Sequence, residues 1–272
     1  MINESITFVV AVNDFDVYKR NFMASPILNS AGRKIRVLEK LNYSSASMAY
    51  NDALRAADTD LVIFVHQDIF LPNRWLTDLE NALMFTRSQK AKIGVLGCYG
   101  VTRENTRYGN LYSVGLQRML GAPFGRPAAV QTLDEIVLIL RRSSGLRFDE
   151  KLSGFHLYGT DICMQATLKG MENYAIDAFC IHNSKPTLFL PKEFYRCYRY
   201  LRKKYWYELP IQTSCIRITR ENCHYYRCLL DGLIARLTRR TRNSRHPDPS
   251  TLMSLLQREG SPQSHTSNIV QG

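Results

Sequence analysis

The tripeptide His66-Gln67-Asp68 follows directly on the apolar run Leu61-Val62-Ile63-Phe64-Val65, and apolar residues resume at once before Pro72. Such a run reads as a buried β-strand, so the tripeptide sets a carboxylate at a strand's carboxyl end. In an open α/β sheet, ligands collect outside those ends. A carboxylate there can hold a hard divalent cation, and the cation can bridge a diphosphate. Taken alone, Asp68 has a plainer role as a turn or helix cap beside Pro72. Two more polar stretches end apolar runs, Asn13-Asp14 after ITFVVAV and Glu39 to Asn42 after IRVL. Three such stretches together are what a nucleotide pocket needs.

The elements that must position these groups can be read from the pattern. Residues 6–12, 35–38 and 61–65 are strand candidates, as are IGVLGCYG from Ile93 and EIVLIL from Glu135. Continuous apolar runs separated by helical segments point to strands buried on both faces. Ser45 or Ser47 is expected to cap a helix reaching about Ala57, with Met48, Leu54 and Ala57 inward. Residues 100–132 are rich in Gly, Arg and Tyr and read as irregular. A helix is expected from near Thr160 to Gly170, then one strand over NYAIDAFCIH. KEFYRCYRYLRKKYWY is helix-compatible, and a second basic helix is expected from Asn222 to about Arg239. The remainder, rich in Ser, Pro, Asn and Gln, is expected to be a disordered tail with at most a short helix at TLMSLLQRE. The expected division is therefore a catalytic domain over 1–212, a basic helical extension over 213–240 and a tail over 241–272.

Composition narrows the class. The 272 residues are 45% hydrophobic and 22% charged, ordinary for a soluble globular chain. No apolar stretch reaches the ~18 residues of a membrane-spanning helix. The N-terminus lacks a basic leader before its apolar run and reads as a first strand rather than a signal peptide. A cytoplasmic location is expected, with peripheral attachment at the inner face of the membrane as an option. Seven cysteines form no CxxC pair, and Cys223 with Cys228 completes no zinc spacing, so reduced thiols are expected. The formal charge of +12 is concentrated between Lys192 and Arg245. That bias calls for an anionic partner: nucleic acid, a membrane surface or a phosphorylated substrate.

Four parts occur in a telling order: a first strand ending near Asn13, the helix SASMAYNDALRAAD, the strand LVIFV with His-Gln-Asp, and the block FDEKLSGFHLYGTDICMQATLKG before a strand ending at His182. In this order they resemble a GT-A fold glycosyltransferase of the family 2 type, in a branch where His-Gln-Asp replaces Asp-x-Asp. The resemblance covers about residues 5–212. It implies an α/β fold with a mixed sheet flanked by helices, to which the chain adds a helical, basic C-terminal extension.

Carried over residue by residue, the resemblance makes Asp68 the metal ligand, with Mn²⁺ or Mg²⁺ as the ion. His66 takes the first motif position and, not being an aspartate, is assigned to nucleotide contact, with Gln67 beside it. Asn13 falls where such enzymes begin to contact the base. Glu39 resembles the acid that reads base or ribose, although Lys40 follows it in place of a second acid. Asn51 matches a helix asparagine of the group, with packing and binding both open. Asp161, in Tyr158-Gly159-Thr160-Asp161, matches the general base of inverting members; a helix-start acid favoured by the dipole is the plainer role. His182 can complete the metal or phosphate site. Asp149 and Glu150 read as acceptor-side or structural residues.

The implied reaction moves a sugar from a nucleoside diphosphate donor, taken as UDP-linked, to a hydroxyl of a saccharide or glycoconjugate, lipid-linked acceptors included, with inversion. A sugar nucleotidyltransferase is the enzymatic alternative, but NDFDVYKRN lacks its Gly-rich loop. A non-catalytic nucleotide-sugar or nucleic-acid binder is the other. The basic stretch from Pro191 to Tyr207 is expected to pack first and to dock on an anionic membrane second. Its Arg and Tyr alternation shows no two clean faces. Nucleic acid ranks last, because no matching motif occurs. Residues 98–130 are expected to shape the donor pocket.

Overall fold

The structure, a computed structural model, describes residues 4–29, 34–89, 91–185, 190–221, 223–237 and 247–259. Its centre is a seven-stranded mixed sheet. The strands are β1 (Ile6–Val12), β2 (Ile35–Leu41), β3 (Leu61–His66), β5 (Lys92–Gly97), β9 (Ala128–Val130), β11 (Val137–Arg141) and β12 (Met171–Ala175), in the order β2-β1-β3-β11-β5-β12-β9. β1 pairs in parallel with both β2 and β3, whereas β11 runs antiparallel between β3 and β5. Period two sorts the side chains between two cores. Leu61, Ile63 and Val65 of β3 face a core with α1 (Phe15–Arg20) and α3 (Trp75–Arg87). Val62 and Phe64 face the other core, with α2 (Ala46–Ala56), α4 (Tyr158–Leu168) and α5 (Lys192–Lys204).

A second sheet decides the site. It holds β4 (Ile69–Phe70), β6 (Tyr99–Val101), β7 (Arg107–Ser113), β8 (Arg118–Gly121), β10 (Thr132–Leu133) and β13 (Cys180–His182). Its order is β10-β6-β7-β13-β4, with β8 on β7. Residues 100–132, expected to be irregular, supply most of it. Short strands with glycine at close approaches left no run long enough to read. Two expected single strands are each broken between the sheets: IGVLGCYG at Cys98, and NYAIDAFCIH between Ala175 and Cys180. A strand that changes sheet keeps its apolar character throughout, so composition hides the break.

The cap of α2 follows the sequence. Ser45 caps α2 by accepting from the Met48 N–H at 3.3 Å. Leu54 and Ala57 are buried as expected, but Met48 is exposed; Ala49, Tyr50 and Ala53 fill that face instead. α5 corrects a second expectation. Phe194, Tyr195, Cys197, Tyr198 and Leu201 are buried on one side, while Arg196, Arg199 and Lys203 are exposed on the other. The aromatics therefore pack, and the helix does separate into two faces. Beyond it lie α6 (Cys223–Leu237) and α7 (Pro249–Glu259). The short helix allowed at TLMSLLQRE is present as α7, and its Leu252, Met253 and Leu256 pack on Phe70, Val114 and Ile181. Residues 238–246 and 260–272, the remainder of the expected extension and tail, lie outside the described residues.

Candidate active site

The main sheet delivers β1, β2 and β3 with their carboxyl ends at one rim, and the second sheet closes over it. His66 ends β3, and its N–H donates to the Ile136 carbonyl at 3.1 Å. Asp68 lies between β3 and β4, and the antiparallel pairing of β4 with β13 sets His182 opposite Ile69. Donor atoms of His66, Asp68 and His182 consequently lie within 4.8 Å of one another. Residues 66 and 68 are close by sequence; residue 182 arrives only through the second sheet. The Asp68 backbone carbonyl also accepts from the Asn183 N–H at 2.9 Å, which fixes the register at this point.

Charge binds the three groups together. His182 Nε2 is 3.4 Å from Asp68 Oδ2, with the side chains 20% and 21% exposed. Burial would raise the Asp68 carboxyl, but the His182 ring, aided by His66, outweighs it and holds the group well below the usual carboxylate range. Burial depresses the His66 ring, against the pull of Asp68. At His182 burial acts the same way but is outweighed by Asp68, so that ring is raised. A second partner orients His66: its Nε2 lies 2.8 Å from the Tyr158 hydroxyl. Tyr158 opens α4, and the residue before it, Leu157, is held at φ 61° while buried in the core. That left-handed backbone is costly for a branched side chain and persists because packing enforces it.

A cleft of about 190 Å³ adjoins this cluster, lined by Ala11, Val12, Asn13, Lys40, Tyr43, Tyr50, His66, Gln67, Asp68 and Phe155. Asn13 and Gln67 are joined, Gln67 Nε2 donating to Asn13 Oδ1 at 2.6 Å and Gln67 Oε1 accepting from the Asn13 and Asp14 N–H groups. Glu39 does not line the cleft. It lies within β2 and accepts from the Tyr18 hydroxyl at 2.8 Å, whereas Lys40, on the other face of the strand, turns to the cleft and pairs with Asp52 at 2.7 Å. Asn51 is buried and pinned to Phe148 and Glu150: its Oδ1 accepts from the Phe148 N–H and its Nδ2 donates to the Phe148 carbonyl and Glu150 Oε1. None of residues 98–130 lines this cleft among the described residues; most of their strands belong to the second sheet, and β9 to the edge of the first.

Asp161 is 1% exposed. It accepts from Lys204 Nζ at 2.6 Å, Gln165 Nε2 at 2.7 Å and the Tyr205 hydroxyl at 2.8 Å. Lys204 also reaches Asp149 at 2.6 Å, and Tyr200 donates to the same carboxylate. These contacts lock α5 onto α4. A different acid stands beside the cluster. Glu135 follows Asp134, lies one residue from the Ile136 carbonyl that receives His66, and accepts from the Gly159 N–H at 3.2 Å. Burial, reinforced by the Asp134 charge, pushes its carboxyl up to about 8. Sequence reading missed Lys40, Tyr43, Glu135 and Phe155. For Lys40 a signal existed, since neighbours on a strand point to opposite faces. For Glu135 none did, because it stood inside an apparent strand.

The sequence model of the Glycosyltransferase like family matches residues 7–204. A curated relative, "ATP synthase subunits region ORF 6" of Fuscovulum blasticum, is 30% identical over 153 residues, which are 53% of this chain and 59% of the relative. The match thus spans about three fifths of that relative's length. Among solved structures, S. aureus TarS 1-349 in complex with UDP-GlcNAc aligns with a TM-score of 0.43 at 15% identity, over 74% of this chain and 66% of that one. GalNAc-T7 with UDP, GalNAc and Mn²⁺ aligns with a TM-score of 0.47 at 10% identity, over 79% and 53%. The mannosyltransferase PcManGT of Pyrobaculum calidifontis, in complex with GDP-Man and Mn²⁺, aligns at 0.43 and 12% identity, over 94% and 70%.

Proposed function

The chain belongs to the glycosyltransferase-like family, and we propose that it moves a sugar from a nucleoside diphosphate, taken as UDP, to a hydroxyl of a saccharide or glycoconjugate. The observation that carries this is the convergence of His66, Asp68 and His182 within 4.8 Å, beside the cleft at the carboxyl ends of β1 and β3. Two imidazoles and one carboxylate suit a first-row transition ion such as Mn²⁺ better than Mg²⁺, which takes oxygen ligands. Bound there, the ion would neutralise charge on the departing diphosphate. Tyr158 holds the His66 ring through Nε2, which would leave Nδ1 for the ion, and such a partner on the second nitrogen is what metal-ligating imidazoles generally have. Asn13, Gln67, Lys40 and the rings of Tyr43 and Phe155 are proposed to receive the nucleoside, since they line the cleft.

The acceptor hydroxyl must lose its proton as it attacks the anomeric carbon from the face opposite the diphosphate, which inverts that centre. Asp161 is the base by motif position. Its burial under Lys204 supports a second reading, in which it anchors α5 and Glu135 takes the proton. An acid with its pKa near the working pH is the better base. The decisive experiment is calorimetry of UDP with Mn²⁺ and with chelator, followed by product analysis with a panel of UDP-sugars and GDP-mannose. Metal-dependent UDP binding and sugar release are expected. Equal UDP affinity in chelator and Mn²⁺ overturns the metal assignment; no turnover of any sugar nucleotide overturns the reaction.

A further inference from the structure

One helix of this protein carries its apolar residues on the outside. On α6, Tyr225 and Cys228 turn inward against the core. Tyr225 packs on Tyr195 and Tyr198 at centroid distances of 5.4 and 5.2 Å and accepts from Arg199 Nη1 at 2.9 Å. The opposite side carries Tyr226, Leu229, Leu230, Leu233 and Ile234, exposed by 62%, 38%, 56%, 54% and 44%. Their spacing (i, i+3, i+4, i+7, i+8) makes one continuous stripe on a helix. Arg227 borders the stripe, together with the acid Asp231, and both are exposed. Arg196, Arg199 and Lys203 on the outer face of the adjoining α5 add further positive charge.

The inner side of α6 borders a basic recess. Cys228 helps to line a cavity of about 460 Å³ with Arg103, Arg107 and Arg217, and among the described residues Glu104 is the one acid in its wall. No ion pair engages any of the three arginines among the described residues. The recess is built: Thr132 Oγ1 donates to the Gln212 carbonyl at 2.6 Å and Gln212 Nε2 donates to the Arg103 carbonyl at 3.3 Å, tying the 211–218 turn to the end of the second sheet. Thr132 is two residues from Asp134, so the recess neighbours the acid pair of the candidate active site.

The geometry points to α6 as an interfacial helix that seats the protein on an anionic lipid bilayer, its exposed apolar stripe lying in the headgroup layer. An apolar stripe with cations beside it, here Arg227 and those of the adjoining α5, can lie in a headgroup layer with those charges toward the lipid phosphates. The net charge of +12 favours the same surface, and no helix among the described residues is long and apolar enough to cross a membrane. On the sugar-transfer reading, this placement would present a lipid-borne acceptor beside Glu135, but docking itself does not depend on that reading.

The test is flotation of the full chain with phosphatidylcholine vesicles, with and without phosphatidylglycerol, at low and high salt. Capture by the anionic vesicles at low salt and release by high salt are expected. Leu230→Glu with Leu233→Glu should reduce capture about tenfold or more, because burial of each leucine is lost. Leu230→Met with Leu233→Met should restore it. Arg196→Gln with Lys203→Gln should weaken capture about fivefold per charge and flatten its salt dependence. UDP calorimetry on the same variants should match wild type, which keeps a failure of docking separate from a failure of the donor site. Wild-type protein left unbound by anionic vesicles, or bound equally by neutral ones, overturns the proposal. Self-association abolished by the glutamate pair, without vesicle capture, would assign the stripe to a second copy of the chain and overturn it too.

Discussion

At the scale of the residue, the site is a negotiation between burial and charge. Asp68 keeps its negative charge in a crowded place because two imidazoles face it. Asp68→Asn retains the shape and removes the charge. It should therefore lower Mn²⁺-dependent UDP affinity by at least tenfold and also lower the melting temperature, since a depressed carboxylate contributes stability at neutral pH, as titration calorimetry beside a thermal melt would record. Glu135 is the opposite case, an acid that burial keeps protonated up to about pH 8. Its unfolded-state counterpart ionises near 4.5. Between these values the folded chain holds a proton that the unfolded chain has released, so stability must fall as pH rises from about 4.5 to about 8 and level off above. Glu135→Gln should flatten that part of the curve in urea midpoints taken across the range. If Glu135 is also the base, the substitution should cost ~10²–10⁴-fold in turnover. Asp161→Asn, which frees Lys204, should then act mainly on stability.

At the scale of the element, the N-terminus of α4 is the part that other pieces converge on. A Cβ at Gly159 would stand 2.8 Å from the Leu133 carbonyl and 3.2 Å from Glu135 Cγ. A backbone oxygen cannot step aside cheaply, so Gly159→Ala should push this end of α4 outward and carry Tyr158 away from His66. Metal affinity should drop although no ligand has been touched, and Tyr158→Phe should reproduce part of the loss. Asn51 serves α2 in the same way by holding the Phe148 backbone. Asn51→Leu strands the buried Phe148 N–H, which typically costs about 1–3 kcal/mol. A denaturant titration should show that loss with UDP affinity little changed; a selective loss of UDP binding would return Asn51 to the nucleotide site.

At the scale of the whole molecule, the far end of the chain braces the candidate metal cluster from behind. α7 covers Phe70, Val114 and Ile181, which lie in or beside β4, which follows Asp68, and β13, which carries His182. Asn183, next to His182, donates through Nδ2 to the Asn21 side chain at 2.8 Å and to the Pro247 carbonyl at 3.1 Å. Truncation after residue 246 removes both the apolar cover and that acceptor. The shortened protein should melt at lower temperature and bind Mn²⁺ more weakly, and the two losses should appear together. A truncated chain with unchanged metal affinity would reduce α7 to a stabilising cover alone.

Much of this is legible in the sequence itself, and the reason is local. β1, β3 and α2 announced themselves because strand burial and helix capping are written in neighbouring residues: LVIFV, ITFVVAV, and Ser45 ahead of Met48. The placement of His66-Gln67-Asp68 at a strand end follows from the same short-range pattern. The second sheet was not readable, since its strands are short and pair residues far apart in the chain, Ile69 with His182 among them. That pairing alone turned two separate motifs into one cluster. Tertiary packing likewise turned Lys40 rather than Glu39 to the cleft, buried Asp161 beneath Lys204 and raised the Glu135 carboxyl. Each of these depends on which face a neighbour covers, a quantity set by contacts between distant segments and absent from any window of the sequence.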